Sequence, residues 1–328
     1  MIDKSEIEIM SSWDGDSDRP LVSICCLTYN HEDFIEETID SFLMQKTNFP
    51  FEIIIGEDCS KDKTLTLIEQ YKSKFPSLIK LITSENNVGG HENWLRTHDA
   101  AQGDYIAYCE GDDYFIGSNR LQLCFDTMKK DQEISFVFGP AVRFNNETKK
   151  EKLRNKYSNE TAARIDLNWV LMKGGGFYPS STAFFKKSVV SDLPGWFHKH
   201  CTGDYPLAVR AALLGKIHYI DEVLSAYRVH GKSMTNSIVE DKCRCKEIAE
   251  TKRDVNLGFI AEILKEKIID DKMRKALLDK EHYVYFSKLL DCGYKNRVLR
   301  AVFTAKTSLY YRTRLMAKFI LRLFKRRQ

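Results

Sequence analysis

Hydrophobic and polar positions follow two rhythms that alternate along the first half of the chain. Leu21-Val22-Ser23-Ile24-Cys25-Cys26-Leu27 is a continuous apolar run with β-branched residues, bounded by Pro20 and by Thr28-Tyr29-Asn30, and it predicts a strand buried on both faces. From His31 the apolar residues Phe34, Ile35, Ile39, Phe42 and Leu43 recur at helical spacing. Glu32, Asp33, Glu36 and Glu37 crowd the first turns of that helix, where its dipole favours anions. Residues 51–56 repeat the strand pattern and 64–75 the helical one. A short strand at 78–83 runs into the polar, glycine-rich stretch 84–90, residues 93–101 read as a helix, and a fourth strand begins at Tyr105. Such alternation predicts an α/β fold with a mostly parallel, doubly wound sheet.

In open sheets of this kind ligands bind outside the carboxyl ends of the strands. Three strands end there in polar or acidic groups: Thr28-Tyr29-Asn30, Glu57-Asp58, and Glu110-Gly111-Asp112-Asp113. The last places three carboxylates around one glycine with nothing basic beside them. They repel one another and would repel a phosphate, so a functional site needs a divalent cation between them and an anionic ligand. The alternative is a polar turn that ends a buried strand.

Further along, residues 120–130 predict an amphipathic helix and 134–138 a strand, while 145–165 is highly charged and reads as a surface excursion. Residues 166–172 look helical. Residues 173–182 read as a flexible loop whose aromatic and hydroxyl groups suit either a sugar site or a long connection. Residues 203–215 form a helix pattern with Asp204 and Pro206 at its start and Gly215 at its end. Asp204 is then either an N-cap, a role that contributes about 1 kcal/mol, or a base facing a cleft. After a strand at 217–220, Arg228, His230 and Lys232 offer cationic or metal-binding groups for a diphosphate. From Glu240 onward the pattern is helical, over 241–267, 271–290 and 295–325.

With 328 residues, 43% of them hydrophobic and 29% charged, the chain can bury a full core in one large or two ordinary domains. The pattern divides it into an extension (1–19), an α/β domain (20–235) and a helical region (236–328). Residues 1–20 lack a signal-peptide pattern and no apolar run reaches membrane-spanning length, so a cytoplasmic location is expected. Nine cysteines, scattered and without a paired framework, read as reduced core residues, and Cys243-x-Cys245 lacks partners at zinc-ligand spacing. Charge splits along the chain: residues 295–328 hold eleven Lys and Arg and no acid, so with a whole-chain net of +4 the first 294 residues carry −7. In this tail Leu315, Met316, Phe319, Ile320, Leu323 and Phe324 share one helical face, opposite Arg314, Lys318, Arg322 and Lys325. It suits peripheral contact with an anionic membrane on the inner face of the cell, or packing on the body or a partner. Nucleic acid is disfavoured by the acidic body and the lack of any recognisable motif.

Four segments, taken in order, resemble the family 2 glycosyltransferases of GT-A fold over about residues 20–233. They are Val22-Ser23-Ile24 with Thr28-Tyr29-Asn30, then residues 52–64, then Asn87-Val88-Gly89-Gly90, then residues 103–114. The resemblance implies a metal-dependent, inverting transfer of a sugar from a nucleotide-diphosphate donor, usually a UDP-sugar. The expected acceptor is a glycan or polyprenyl-linked molecule of surface polysaccharide synthesis, and the cofactor Mn2+ or Mg2+. By position in the family pattern, Thr28, Tyr29, Asn30 and Glu32 line the nucleoside pocket and Asp58 contacts base or ribose. Glu110-Gly111-Asp112 stands as the Asp-x-Asp motif, with Glu110 near the ribose and Asp112 on the metal. Asp204 falls in the segment of the catalytic base, and Arg228 and His230 in one that closes over the donor phosphates, His230 as a metal ligand. Glu110 departs from the usual Asp by one methylene. A catalytically silent nucleotide-sugar-binding scaffold is the competing reading. A nucleotidyltransferase is disfavoured, because no glycine-rich, basic loop follows the first strand.

Overall fold

The computed structural model describes residues 2–14, 19–145, 148, 151–199, 203–231, 242–292, 294, 298 and 308–324. Two compact units are present, Met1–Leu193 with Thr202–Val229, and Pro194–Cys201 with His230–Gln328.

The first unit opens with α1 (Glu6–Met10), which Ser5 and Glu8 cap reciprocally. The expected alternation comes next: β1 (Val22–Thr28), α2 (Ile35–Leu43), β2 (Phe51–Glu57), α3 (Thr64–Lys74), β3 (Ile79–Ile82), α4 (Gly90–Asp99) and β4 (Tyr105–Glu110). After it lie β5 (Tyr114–Phe115), α5 (Arg120–Lys130), β6 (Ile134–Phe138), β7 (Ala141–Asn145), β8 (Glu151–Arg154), α6 (Asn159–Ala162) and α7 (Leu167–Lys173). The unit closes with β9 (Phe184–Lys186), α8 (Asp204–Leu214), β10 (Lys216–Tyr219) and β11 (Ser225–Val229).

A seven-stranded sheet runs β10-β6-β9-β4-β1-β2-β3. Its strands are parallel except β9, which pairs antiparallel with both β4 and β6. Ile24, Cys26, Ile53, Ile55, Ala107 and Cys109 face one helical layer with Ile35, Ile39 and Phe42, while Cys25, Ile54 and Tyr108 are buried on the other face. Helices thus cover both faces of the parallel strands, which is why the strands read as unbroken apolar runs.

A second sheet, β5-β11-β7-β8, is built from segments with little strand pattern of their own. The charged stretch 145–165 is therefore only partly an excursion, since β8 pairs antiparallel with β7. Residues 173–182 also differ from the flexible loop expected. They fold into two 3₁₀ turns, Gly175–Phe177 and Ser180–Thr182, because Phe177 and Tyr178 pack edge-on against Phe138 and Phe136 and are buried.

The second unit contains α9 (Lys242–Lys265), α10 (Asp271–Asp291) and α11 (Leu309–Phe324). Here the expectation of reduced cysteines is corrected: Cys245 is disulfide-bonded to Cys292, with Cα atoms 6.0 Å apart, because α9 and α10 pack together and bring residues 47 apart in sequence into register. In the first unit Cys25, Cys26, Cys109 and Cys124 are buried free thiols as expected.

The amphipathic tail falls partly outside the described residues. Within α11, Leu315 and Phe319 are buried, and Phe319 joins Tyr285, Leu289 and Leu290 in a small core. Lys318 donates to Ser287 Oγ at 2.5 Å and pairs with Asp291 at 3.0 Å. The apolar face described here is thus occupied by protein, and no described helix is long and apolar enough to cross a membrane. Phe319→Ala is expected to destabilise this unit by about 3 kcal/mol in urea denaturation, as for other emptied aromatic sites, and an unchanged midpoint would exclude the packing.

Candidate active site

The three polar strand ends meet at one edge of the large sheet. Thr28 pairs with Glu57 across β1 and β2, and Leu27 with Glu110 across β1 and β4. Parallel strands in register deliver their last residues to one rim, as the sequence predicted.

On the β1–β2 side, two loops lace together. Asn30, in the left-handed region at φ 56°, accepts from the Lys61 amide through Oδ1 at 2.8 Å, and its own amide donates to Ser60 Oγ at 2.9 Å. The Glu32 amide donates to Asp62, and Glu32 Oε2 accepts from the Lys63 amide at 3.1 Å. Thr28 is buried with its hydroxyl 3.2 Å from His31 Nδ1, whereas the Tyr29 ring is 37% exposed. Asp58 is buried, and both carboxylate oxygens accept backbone amides of the glycine-rich loop, Val88 at 2.7 Å and Gly89 at 3.0 Å. Arg96 lies 3.9 Å from the same carboxylate. Glu57, grouped by the sequence with the polar strand ends but given no role of its own, shapes this turn by accepting from the Cys59 and Ser60 amides at 3.1 and 2.7 Å. Its signal was only that it ends a strand beside Asp58.

On the β4 side the acids are held individually. Glu110 accepts from Tyr108 at 3.2 Å and from Ser180 at 2.9 Å. Burial, then the charges of Asp112 and Asp204, push its carboxyl up to about 8. Asp113 is buried and accepts the Arg228 amide at 2.9 Å, and burial with Asp112 and Glu110 beside it raises its carboxyl well above the usual range. Gly111 has no room for a side chain: a Cβ there would lie 2.7 Å from Thr28 Oγ1 and 2.9 Å from His31 Nδ1. Thr38 of α2, another residue the sequence did not single out, donates toward the Gly111 and Asp113 carbonyls at 3.0 and 2.6 Å. Asp112 keeps its side chain partly exposed while its carbonyl accepts from Arg228 at 2.8 Å.

Arg228 is buried, with its guanidinium bonded to Glu37 and 4.5 Å above the Tyr114 ring. It therefore braces the acidic loop from behind. His230 belongs to the second unit, and Lys232 lies outside the described residues.

Asp204 is the first residue of α8, and no side chain caps that helix, so it does not act as an N-cap. Its carboxyl is pushed up to about 6 by burial, with Arg154 opposing, and its charge reaches Glu110 and Tyr178. Tyr178 fixes this helix start by donating to the Asp204 carbonyl at 2.9 Å.

These residues suit a Mg2+ or Mn2+ ion carried in with substrate phosphates. Among the described residues no three His, Cys, Asp or Glu form a closed metal cage. Burial and mutual repulsion raise the Glu110 and Asp113 carboxyls, so a divalent cation placed beside Asp112 would favour their ionised forms and could be bridged by one or two carboxylates.

The chain is similar to an uncharacterized protein of Mycobacterium tuberculosis, 29% identical over 221 residues, 67% of this chain and 62% of that relative's length. It is also similar to the poly(ribitol-phosphate) beta-N-acetylglucosaminyltransferase TarS of Staphylococcus aureus, 33% identical over 96 residues, 28% of this chain and 16% of that protein. TarS residues 1–349 in complex with UDP-GlcNAc share the fold, with a TM-score of 0.58 at 18% identity over 91% of this chain and 80% of that one. The mannosyltransferase PcManGT of Pyrobaculum calidifontis, in complex with GDP-Man and Mn2+, does so at a TM-score of 0.59 and 16% identity over 97% and 87% of the two chains. The mixed α/β architecture with its largely parallel sheet is thus that of the GT-A glycosyltransferases, with C-terminal helices added. The profile of glycosyl transferase family 2 matches residues 23–193, more than half of the sequence, and the chain belongs to that family.

Proposed function

We propose that the chain is an inverting glycosyltransferase that moves a sugar from a nucleotide-diphosphate donor, a UDP-sugar, to a hydroxyl of a glycan or polyprenyl-linked acceptor in surface polysaccharide synthesis. The observation that carries this reading is Asp204, an uncapped carboxylate with its pKa raised to about 6 beside Glu110, at the sheet edge where the acidic loop lies. A base held near neutrality is matched to taking a proton from a hydroxyl at cytoplasmic pH. The binding of UDP-GlcNAc by TarS and of GDP-Man by PcManGT supports a nucleotide-sugar donor.

In this reading the exposed Tyr29 ring offers its face to the nucleobase, while Asn30 and Glu32 hold the facing loop through the Lys61 and Lys63 amides. Thr28 packs beneath the acidic loop, and Asp58 keeps the 87–89 loop against the nucleoside. Glu110, hydrogen-bonded by Tyr108 and Ser180, faces the ribose side. Asp112 would hold the divalent ion, which when bound would neutralise charge on the departing diphosphate. Arg228 acts through Asp112 and Asp113, whose backbone and side chain it fixes. Asp204 accepts the acceptor hydroxyl proton as the new C–O bond forms opposite the breaking bond to the phosphate oxygen, so one displacement inverts the anomeric centre.

Thermal shifts against a panel of nucleotide sugars test the donor class. The cognate donor at 100 times its Kd should add about 2.7 kcal/mol of stability. Slow hydrolysis of that donor with manganese, lost on adding EDTA, is expected of the enzyme, and its absence with every nucleotide sugar would identify the chain as a silent scaffold.

A further inference from the structure

In the second sheet, three cations share one face of a two-stranded ribbon. Arg143 on β7 stands directly opposite Lys152 on β8, and Arg154 lies two residues beyond Lys152, so all three side chains leave the same side. Like charges placed directly across a strand pair are destabilising. Among the described residues no acid is ion-paired with any of the three. Lysine on an edge strand is a common guard against strand addition, but that role does not require the charges to converge. Here they line a cleft of about 410 Å³ together with Leu153, Asn155 and Gly176.

The cleft adjoins Asp204. Arg154 lies close enough to lower the Asp204 pKa, and its guanidinium rests 4.8 Å above the Tyr227 ring. Gly175, next to the cleft residue Gly176, packs so tightly on the start of α8 that a Cβ there would meet the Tyr205 amide at 2.9 Å and the Asp204 Cβ at 3.2 Å. Two of the cations, Arg143 and Lys152, are exposed to incoming ligand.

We infer that this ribbon is an acceptor subsite for a phosphate-bearing acceptor, in which Arg143, Lys152 and Arg154 hold an anionic group while a neighbouring hydroxyl reaches Asp204. The inference rests on the transferase reading of Asp204 and adds the chemical class of the acceptor. Three cations on one face, none in a salt bridge among the described residues, select an anion, and guanidinium groups grip phosphate oxygens in pairs. The same chemistry exists in the donor diphosphate, so the two sources must be separated by experiment.

The probe is a synthetic tri(glycerol phosphate), titrated calorimetrically into the full chain held at saturating UDP and Mn2+, with triglycerol as the uncharged control. The subsite predicts binding of the phosphodiester alone, undiminished by UDP. Arg143→Gln with Lys152→Gln should weaken it by roughly 10- to 100-fold while leaving the Kd of UDP and the hydrolysis of the donor unchanged. Displacement of the probe by UDP would overturn the inference in favour of a donor-phosphate site. Equal binding by the double variant, or no binding by a chain that still hydrolyses donor, would overturn it as well. Binding by a chain that hydrolyses no nucleotide sugar would instead remove the transferase reading and the acceptor role with it.

Discussion

Asp204→Asn is expected to lower sugar transfer by roughly 10²- to 10⁴-fold while UDP affinity stays within about twofold. The loss follows from the role of the carboxylate as proton acceptor, since the amide keeps the shape and removes the basicity. For the unmodified protein the rate should rise with pH through about 6, where burial places the Asp204 carboxyl, and then level off. Stability runs the other way. A folded-state pKa raised above the unfolded value of about 3.9 means that the folded form retains a proton the unfolded form has lost, so stability declines between about pH 4 and pH 6 and is flat above. The Asn variant should therefore be more stable than the parent at pH 7, by an amount on the order of 1–2 kcal/mol. A helix cap would respond differently, since Asn caps about as well as Asp and the same substitution would leave stability nearly unchanged. Calorimetry at pH 7 beside transfer assays distinguishes the two, and a variant of unchanged stability that retains transfer would remove Asp204 from the chemistry.

Asp112→Asn is expected to reduce donor turnover by roughly 10²- to 10³-fold and to abolish the strengthening of UDP binding by Mn2+. The assignment comes from how its neighbours are engaged. Glu110 is hydrogen-bonded by Tyr108 and Ser180, and Asp113 is buried against the Arg228 amide. Asp112 has its backbone pinned by the Arg228 guanidinium and its side chain partly exposed. Titration of UDP with and without Mn2+ provides the check. An unchanged metal effect in the variant would move the ion to another carboxylate.

Much of this site was legible in the linear chain. Parallel strands buried on both faces announce themselves as apolar runs, and the polar residues that end each run must lie at one rim, so Thr28, Asp58 and Glu110 could be grouped before any coordinates. The individual duties were not legible. Asp58 reads as a ligand contact, and the hold of its two oxygens on the amides of Val88 and Gly89 is seen only in the structure. Arg228 reads as a phosphate-binding cation, and its bonds to Glu37 and to the loop that carries Asp112 are seen only in the structure. The Cys245–Cys292 disulfide escaped a reading based on local spacing because helix packing, and nothing in the flanking residues, joins the two.

By itself the sequence determined the repeating strands and helices of the first half, the acid-rich rim and the uneven charge of the tail. Each of these is set by neighbours within a few positions, through side-chain periodicity and backbone propensity. Only the tertiary structure decided that β9 enters the sheet antiparallel, that Arg228 meets Asp113 from 115 positions away, and that Leu315 and Phe319 of α11 are buried. The same holds for the convergence of Arg143, Lys152 and Arg154 beside Asp204. Those outcomes depend on which distant surfaces bury one another most completely, and no local pattern encodes that choice.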